Sequence, residues 1–191
     1  MRIILATSNA HKIEEIREIL KDVWESMEFV PMKFDVEEDG KNYEENALKK
    51  ARFAYEATKT PSIADDSGLV IDALPDILGV KSARFMEGKS YAEKNITILG
   101  MMKDIPPEKR TARFTCVAVY YDGTSHIFKG EIKGKISYEP RGKNGFGYDP
   151  IFIPDGYDKT MAELEQREKN HISHRARAFR KLASYLLENS L

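Results

Sequence analysis

Two adjacent carboxylates, Asp65 and Asp66, interrupt two short apolar runs in the stretch Ser62-Ile63-Ala64-Asp65-Asp66-Ser67-Gly68-Leu69-Val70-Ile71-Asp72. Short apolar runs bounded by turn residues read as strands, and a strand ending at Ile63-Ala64 puts both aspartates at the mouth of a sheet. Gly68 then lets the chain reverse with positive φ. Neighbouring strand residues point to opposite faces, so one carboxylate looks into a cleft while the other turns toward the backbone. A solvated Asp-Asp turn, with carboxylates accepting local N–H groups, explains the stretch in isolation equally well.

The rest of the chain sets the sheet around that stretch. Arg2-Ile3-Ile4-Leu5-Ala6 reads as a buried strand, and after Thr7-Ser8-Asn9 the period becomes helical at Ile13, Ile16, Leu20 and Val23. Residues 28–32 form a second strand, followed by an acidic loop, Asp35-Val36-Glu37-Glu38-Asp39-Gly40. Ala47, Leu48, Ala51, Ala54 and Tyr55 make one apolar helical face over Tyr43–Thr58. Ser90 and Glu93 have capping-box spacing ahead of Ile96, Leu99 and Met102, and Pro106-Pro107 stops that helix. Residues 113–121 are rich in β-formers without alternation, so both faces are covered; Asp122-Gly123 signals a hairpin back through 125–132. Ser173 can cap a last helix with Ala176, Phe179, Ala183 and Leu186 inward. Strand-helix units followed by a hairpin indicate one α/β domain over residues 1–191 with a mixed sheet.

Thirty basic residues against thirty-one acidic ones give a net charge of −1, which argues against the broad positive face needed for duplex nucleic acid or an anionic membrane. No apolar run reaches the length of a signal or spanning segment. The single cysteine, Cys116, lies in an apolar run and reads as a buried small hydrophobe in a reducing, cytoplasmic compartment.

Three stretches carry possible chemistry. Thr7-Ser8-Asn9-Ala10-His11-Lys12 joins strand to helix, where free amides and the helix dipole favour a phosphate; the spacing is not that of a Walker loop, and Ser8 or Asn9 also suits a plain helix cap. Gly142-Lys143-Asn144-Gly145-Phe146-Gly147-Tyr148-Asp149-Pro150 brings backbone and aromatic rings to a flat ligand, or plugs the core with Phe146 and Tyr148. Lys169, His174 and Arg175 place donors beside the final helix. The hard-oxygen set Glu38, Glu45, Asp65 and Asp66 suits Mg²⁺, and no cysteine-histidine spacing suits zinc.

Ala6-Thr7-Ser8-Asn9-Ala10-His11-Lys12, Tyr43-Glu44-Glu45-Asn46-Ala47, Ile63-Ala64-Asp65-Asp66-Ser67-Gly68-Leu69, Gly145-Phe146-Gly147-Tyr148-Asp149-Pro150 and Ile172-Ser173-His174-Arg175 together resemble the inosine triphosphate pyrophosphatase family. Five motifs in family order, running essentially end to end, are a specific signal where each alone is weak. The resemblance implies an elongated mixed sheet flanked by helices, two lobes around a central cleft, and a homodimer. It implies Mg²⁺-dependent hydrolysis of ITP, dITP and XTP to the monophosphate and pyrophosphate. It assigns Thr7, Ser8, Asn9, Ala10, His11 and Lys12 to the triphosphate, Asp66 to proton acceptance and metal, and Glu38 to metal. Ser67, Phe146, Gly147, Tyr148, Asp149, Lys169, His174 and Arg175 would contact the nucleotide. The hard-oxygen set leaves Asp65 and Glu45 as reserve metal ligands. Ser8 stands where many relatives have glycine. Two rivals share these motifs: a pyrophosphatase for modified pyrimidine triphosphates, and a non-catalytic nucleotide sensor.

Overall fold

A continuous apolar run gives way to helical spacing after Thr7-Ser8-Asn9 in the computed structural model, which describes residues 1–189. Strand β1 (Arg2–Leu5) leads through a polar turn into α1 (Ala10–Ile19). The helical run expected through Val23 breaks at Leu20, and a short α2 (Lys21–Trp24) precedes β2 (Glu28–Pro31). Helix α3 (Tyr43–Thr58) has the bounds its apolar face predicts. Then come β3 (Ser62–Ile71), α4 (Tyr91–Met101), β4 (Thr111–Tyr121) and β5 (Ser125–Ile136). The chain closes with β6 (Phe152–Pro154), α5 (Gln166–Ile172) and α6 (His174–Glu188).

The fold is the expected mixed α/β one: a six-stranded sheet, order β2-β1-β3-β4-β5-β6, flanked by helices. Strand β1 pairs parallel with β2 and β3, and β5 pairs antiparallel with β6. Ser90 and Glu93 form the capping box predicted for α4. Helix α5, which sequence periodicity missed, is only seven residues long and carries no apolar stripe.

One expectation needs correction. The chain does not turn at Gly68: β3 runs unbroken through Asp65-Asp66-Ser67-Gly68, and Gly68 is not among the positive-φ glycines. Its pairing with β1 stops at Leu5–Ile63, so the two aspartates lie just beyond the carboxyl end of β1 while the strand continues. A charged pair can remain inside a strand when groups on both faces satisfy it, as they do here.

Two compact units divide the chain. The first comprises Met1–Ser67, Cys116–Gly130 and residues from His174 onward. Alternation along its strands builds two cores. Ile3, Leu5, Ile63, Cys116, Ala118 and Tyr120 pack with Ile16, Leu20 and Val23 and with Phe179, Leu182 and Leu186 of α6. Ala64, Val117 and Val119 pack with Ala47 and Ala51 of α3. Burial from Cys116 to Tyr120 is continuous, as the missing alternation predicts.

The second unit, Gly68–Thr115 with Glu131–Ser173, is centred on Leu69, Ile71, Phe114, Ile132, Ile136 and Phe152, covered by Ile98 and Met102. Its Arg110 is 2% exposed and donates to the carbonyls of Ile136, Met102, Ile105 and Ser137, with Tyr138 stacked 4.3 Å from the guanidinium. Met102 is the C-cap of α4, so this cation serves a helix carbonyl end that has no later helical N–H. Replacing Arg110 by Leu strands several buried acceptors; we expect a loss of about 3 kcal/mol or more, measured by urea unfolding.

Candidate active site

Side-chain alternation on β3 sends its two carboxylates to opposite faces. Asp65 shares a face with Ile63, and Asp66 with Ala64. On the first face, Asp65 Oδ2 lies 3.0 Å from Lys12 Nζ of α1 and 3.6 Å from Arg175 Nη2 of α6. Arg175 Nη1 also donates to Glu15 at 2.6 Å, and its Nη2 donates to Ser67 Oγ at 3.0 Å. Burial works to raise the Asp65 carboxyl, yet the charges of Lys12, Arg175 and Lys50 override it and hold the group well below the usual carboxylate range. Arg175 shows the reciprocal effect: burial opposes its charge, and Asp65 and Glu15 more than restore it. Cys116, beside Asp65, has its thiol pushed up by burial and by that carboxylate, which leaves it the inert hydrophobe expected.

Asp66 has a different environment. It is 6% exposed, yet among the described residues no cation lies within ion-pair distance. Its Oδ2 accepts from Asn46 Nδ2 at 2.9 Å, and its Oδ1 accepts from the Ser67 N–H at 3.0 Å. Burial pushes this carboxyl up to about 6; the Lys50 charge and the Asn46 hydrogen bond oppose the rise, and the Glu38 charge assists it. Lys50 stands between the acidic groups, with Nζ 2.7 Å from the Asp65 carbonyl and 3.3 Å from Glu38 Oε2.

These positions test the fit of a divalent metal. Glu45 is committed elsewhere, since its carboxylate accepts from the Lys41 N–H and Asn42 Nδ2 at the start of α3. Asp65 is held by cations. Among the described residues no three His, Cys, Asp or Glu side chains form a ready metal cage. Glu38 and Asp66 remain, two hard oxygen donors, with the Glu38 charge raising the proton affinity of Asp66. Mg²⁺ uses such a set, one or two carboxylates completed by waters and phosphate oxygens, so the residues fit it.

The turn Thr7-Ser8-Asn9-Ala10-His11-Lys12 behaves as a helix cap. Asn9 is the N-cap of α1, its side chain accepting the Lys12 N–H, and Thr7 Oγ1 accepts the Asn9 N–H. Ser8, Ala10 and His11 are exposed. The helix-cap role therefore holds for Asn9, and the turn lies at the positive end of the α1 dipole.

In the second unit, Gly145 has φ +68°, and a side chain there would collide with the Asp149 carboxylate. That turn folds Asp149 back so that its Oδ2 accepts from the Phe146 N–H at 2.9 Å and from Lys169 Nζ at 2.6 Å. Lys169 is 2% exposed and stands 4.7 Å from the Phe146 ring centroid. Phe146 is half-buried, whereas Tyr148 is a core residue whose hydroxyl donates to the Ser82 carbonyl. The plug reading holds for the Tyr148 ring, while Phe146 is only partly buried and has Lys169 over its ring. Asn95 fixes the loop further by donating to the Gly147 carbonyl at 3.1 Å.

Within the first unit the structure thus brings together Lys12, Asp65, Ser67 and Arg175 on one face and Glu38 and Asp66 on the other. His174, 5% exposed, opens α6 one residue ahead of Arg175. Within the second unit it brings together Phe146, Asp149 and Lys169. Sequence reasoning gave Glu15 and Lys50 no part in the site and placed Asn46 only within a motif, without a role. Asn46 lies off the apolar face of α3, and its burial follows from its tertiary contacts with Gly40 and Asp66.

Fold and site define a mixed α/β protein built on a divided carboxylate pair next to a strand-to-helix turn. The chain belongs to the Ham1 family, whose model matches residues 3–185. It is 48% identical to a dITP/XTP pyrophosphatase of Dictyoglomus thermophilum, covering 96% of this chain and 93% of that one. It is 44% identical to a dITP/XTP pyrophosphatase of Aquifex aeolicus, covering 97% and 96%. A solved HAM1 protein from Coxiella burnetii superposes with a TM-score of 0.89 at 40% identity, covering 98% of this chain and 99% of that one.

The two aspartates should respond oppositely to neutralisation. Asp65→Asn leaves Arg175 and Lys12 undercompensated and should cost about 3–5 kcal/mol in denaturant unfolding. The Asp66 pKa rises on folding from 3.8 to about 6, so its contribution is full below the unfolded value and is lost as pH rises through about 6. Without divalent cations, the wild type minus Asp66→Asn stability difference should fall as pH is raised from 4 to 7; a flat difference would place Asp66 in an ordinary solvated environment.

Proposed function

We propose that the protein hydrolyses deaminated-purine nucleoside triphosphates (ITP, dITP and XTP) to the nucleoside monophosphate and pyrophosphate, removing these bases from the nucleotide pool. The observation that carries this reading is Asp66: a buried carboxylate, without an ion partner among the described residues, near pKa 6, in a chain aligned over nearly its whole length with dITP/XTP pyrophosphatases. A general base works best with a pKa close to the working pH.

Water attacks the α-phosphorus and pyrophosphate departs, so the reaction needs an aligned water, a proton acceptor and charge on the phosphates neutralised. Asp66 takes the water's proton, held in orientation by Asn46 and by the Ser67 N–H. Lys12 uses one of its three donors on Asp65 and directs the others to phosphate oxygens. Thr7, Ser8, Asn9, Ala10 and His11 surround the phosphates through the first-turn amides and hydroxyls. Glu38 and Asp66 would hold Mg²⁺, which when bound would supply Lewis-acid neutralisation of the triphosphate. The protein acts in the cytoplasm as a homodimer.

In the second unit, Phe146 offers a stacking face, and Gly147, Tyr148, Asp149 and Lys169 line the loop beside it. Hypoxanthine and xanthine carry an oxygen at position six where adenine carries an amino group, so a fixed N–H donor accepts the former and is left unpaired by the latter. Arg175 serves by holding Ser67 and Asp65, and His174 lies at the same helix start.

Analysis of the products of ITP with Mg²⁺ should show pyrophosphate appearing with IMP; inorganic phosphate appearing first would refute the α–β cleavage. Asp66→Asn should lower kcat by about 10²–10⁴-fold with nucleotide affinity largely kept. The kcat/KM for ITP and XTP should exceed that for ATP by about 10² or more, and comparable values would remove the base-selection reading.

A further inference from the structure

The acidic loop ahead of α3 is fastened to that helix residue by residue. Glu38 lies 3.3 Å from Lys50 Nζ, and Asp39 lies 2.6 Å from Lys49 Nζ. The Gly40 N–H donates to Asn46 Oδ1 at 2.7 Å, and the Lys41 N–H donates to Glu45 Oε2 at 2.7 Å. Of these four anchoring side chains, Asn46 alone hydrogen-bonds the Asp66 carboxylate, its Nδ2 donating to Oδ2 at 2.9 Å.

The chemistry of the partners fixes which way the amide faces. A backbone N–H can only donate, so Oδ1 must meet Gly40; an ionised carboxylate can only accept, so Nδ2 must meet Asp66. Asn46 has no exposed surface. A buried planar amide with both ends engaged therefore ties the loop that carries Glu38 to the strand that carries Asp66. The loop lies so close that a Cβ on Gly40 would stand 2.5 Å from Asn46 Oδ1 and 2.9 Å from Glu45 Cβ. No side chain fits there without pushing the loop off the amide.

We propose that Asn46 is a positioning residue for divalent-cation binding, holding the Glu38 loop and Asp66 at the separation at which both carboxylates take one ion. This rests on the assignment of Glu38 and Asp66 as the metal ligands. Partners that orient ligating carboxylates typically change metal affinity by about 10–100-fold when removed, without touching the ion. Gly40 acts from the loop side of the same clamp.

The test measures Mn²⁺ binding to the metal-free protein from the electron paramagnetic resonance signal of the free ion. Asn46→Ala and Gly40→Ala should each weaken Mn²⁺ binding by about 10–100-fold, while ITP binding in EDTA stays at the wild-type level. General misfolding would lower both. Should Asn46→Ala fail to fold, Gly40→Ala, which keeps all three polar side chains, decides between the same loss and no loss. Wild-type Mn²⁺ affinity in Gly40→Ala or in folded Asn46→Ala, with affinity reduced in Glu38→Gln and Asp66→Asn, overturns the positioning role alone. Unchanged affinity in Glu38→Gln and Asp66→Asn overturns the ligand assignment, and the role of Asn46 with it.

Discussion

Four largely buried charges, Asp65 and Glu15 with Lys12 and Arg175, join three elements that lie far apart in the chain. Lys12 and Glu15 belong to α1, Asp65 to β3 and Arg175 to α6. Taking ions out of water is costly, and mutual attraction offsets that cost only when geometry is good and every partner is present. The group is formally neutral, two against two, and Arg175 contacts both carboxylates. Removing any member leaves a buried charge without its counterpart. That interdependence pins the first turn of α1 and the start of α6 against β3, in the place where Lys12 emerges beside the amides of the strand-to-helix turn.

Because Asp65 is neutralised in this way, β3 can carry a second, adjacent carboxylate through the sheet. The pleat puts Asp66 on the α3 face, away from Arg175 and Glu15. There it meets an amide and a backbone N–H instead of a salt-bridged cation. Two side chains identical in type and neighbours in sequence thus acquire opposite proton affinities. One is held ionised far below neutrality, and the other stays close to it. Strand geometry separates the two side chains, and the groups packed on each face set their proton affinities.

How much of this was readable beforehand depended on whether the signal was local. Helix α3 and the α4 capping box are written in periodicity and in a three-residue spacing, and both appear where expected. The hairpin at Asp122-Gly123 follows from the turn dipeptide, and Gly123 has φ +114°. The division of labour between Asp65 and Asp66 was half legible: alternation separates them, but which face holds the cations depends on α1 and α6 packing from opposite ends of the chain. The expected turn at Gly68 failed for the same reason. Two charges in an apolar strand look like its end unless the partners on each face are known. Glu15 and Lys50 gave no local sign, because a charged residue on a helix reads as solvent-facing until tertiary contacts bury it. Glu45 looked like a metal ligand by type, whereas its spacing from Asn42 already fits an N-terminal cap.

The placement of Lys50 shows how the site keeps Asp66 basic. A lysine ammonium in direct contact would lower that carboxyl as Lys12 lowers Asp65, and a carboxylate held far below neutrality is a poor proton acceptor. Lys50 Nζ instead bonds the Asp65 carbonyl and Glu38, so its charge moderates the acidic group from outside the Asp66 hydrogen-bonding shell. Asn46 and the Ser67 N–H meanwhile orient the carboxylate without neutralising it, since neutral donors supply direction with little net charge. The folded chain carries the cost of a buried anion at neutral pH, and that cost is the same property that raises the affinity of Asp66 for a proton. Sites that do chemistry commonly hold such locally unfavourable groups, and they persist because surrounding contacts over-determine them. Here those contacts are the amide of Asn46 on one side and the neutral four-charge group on the other.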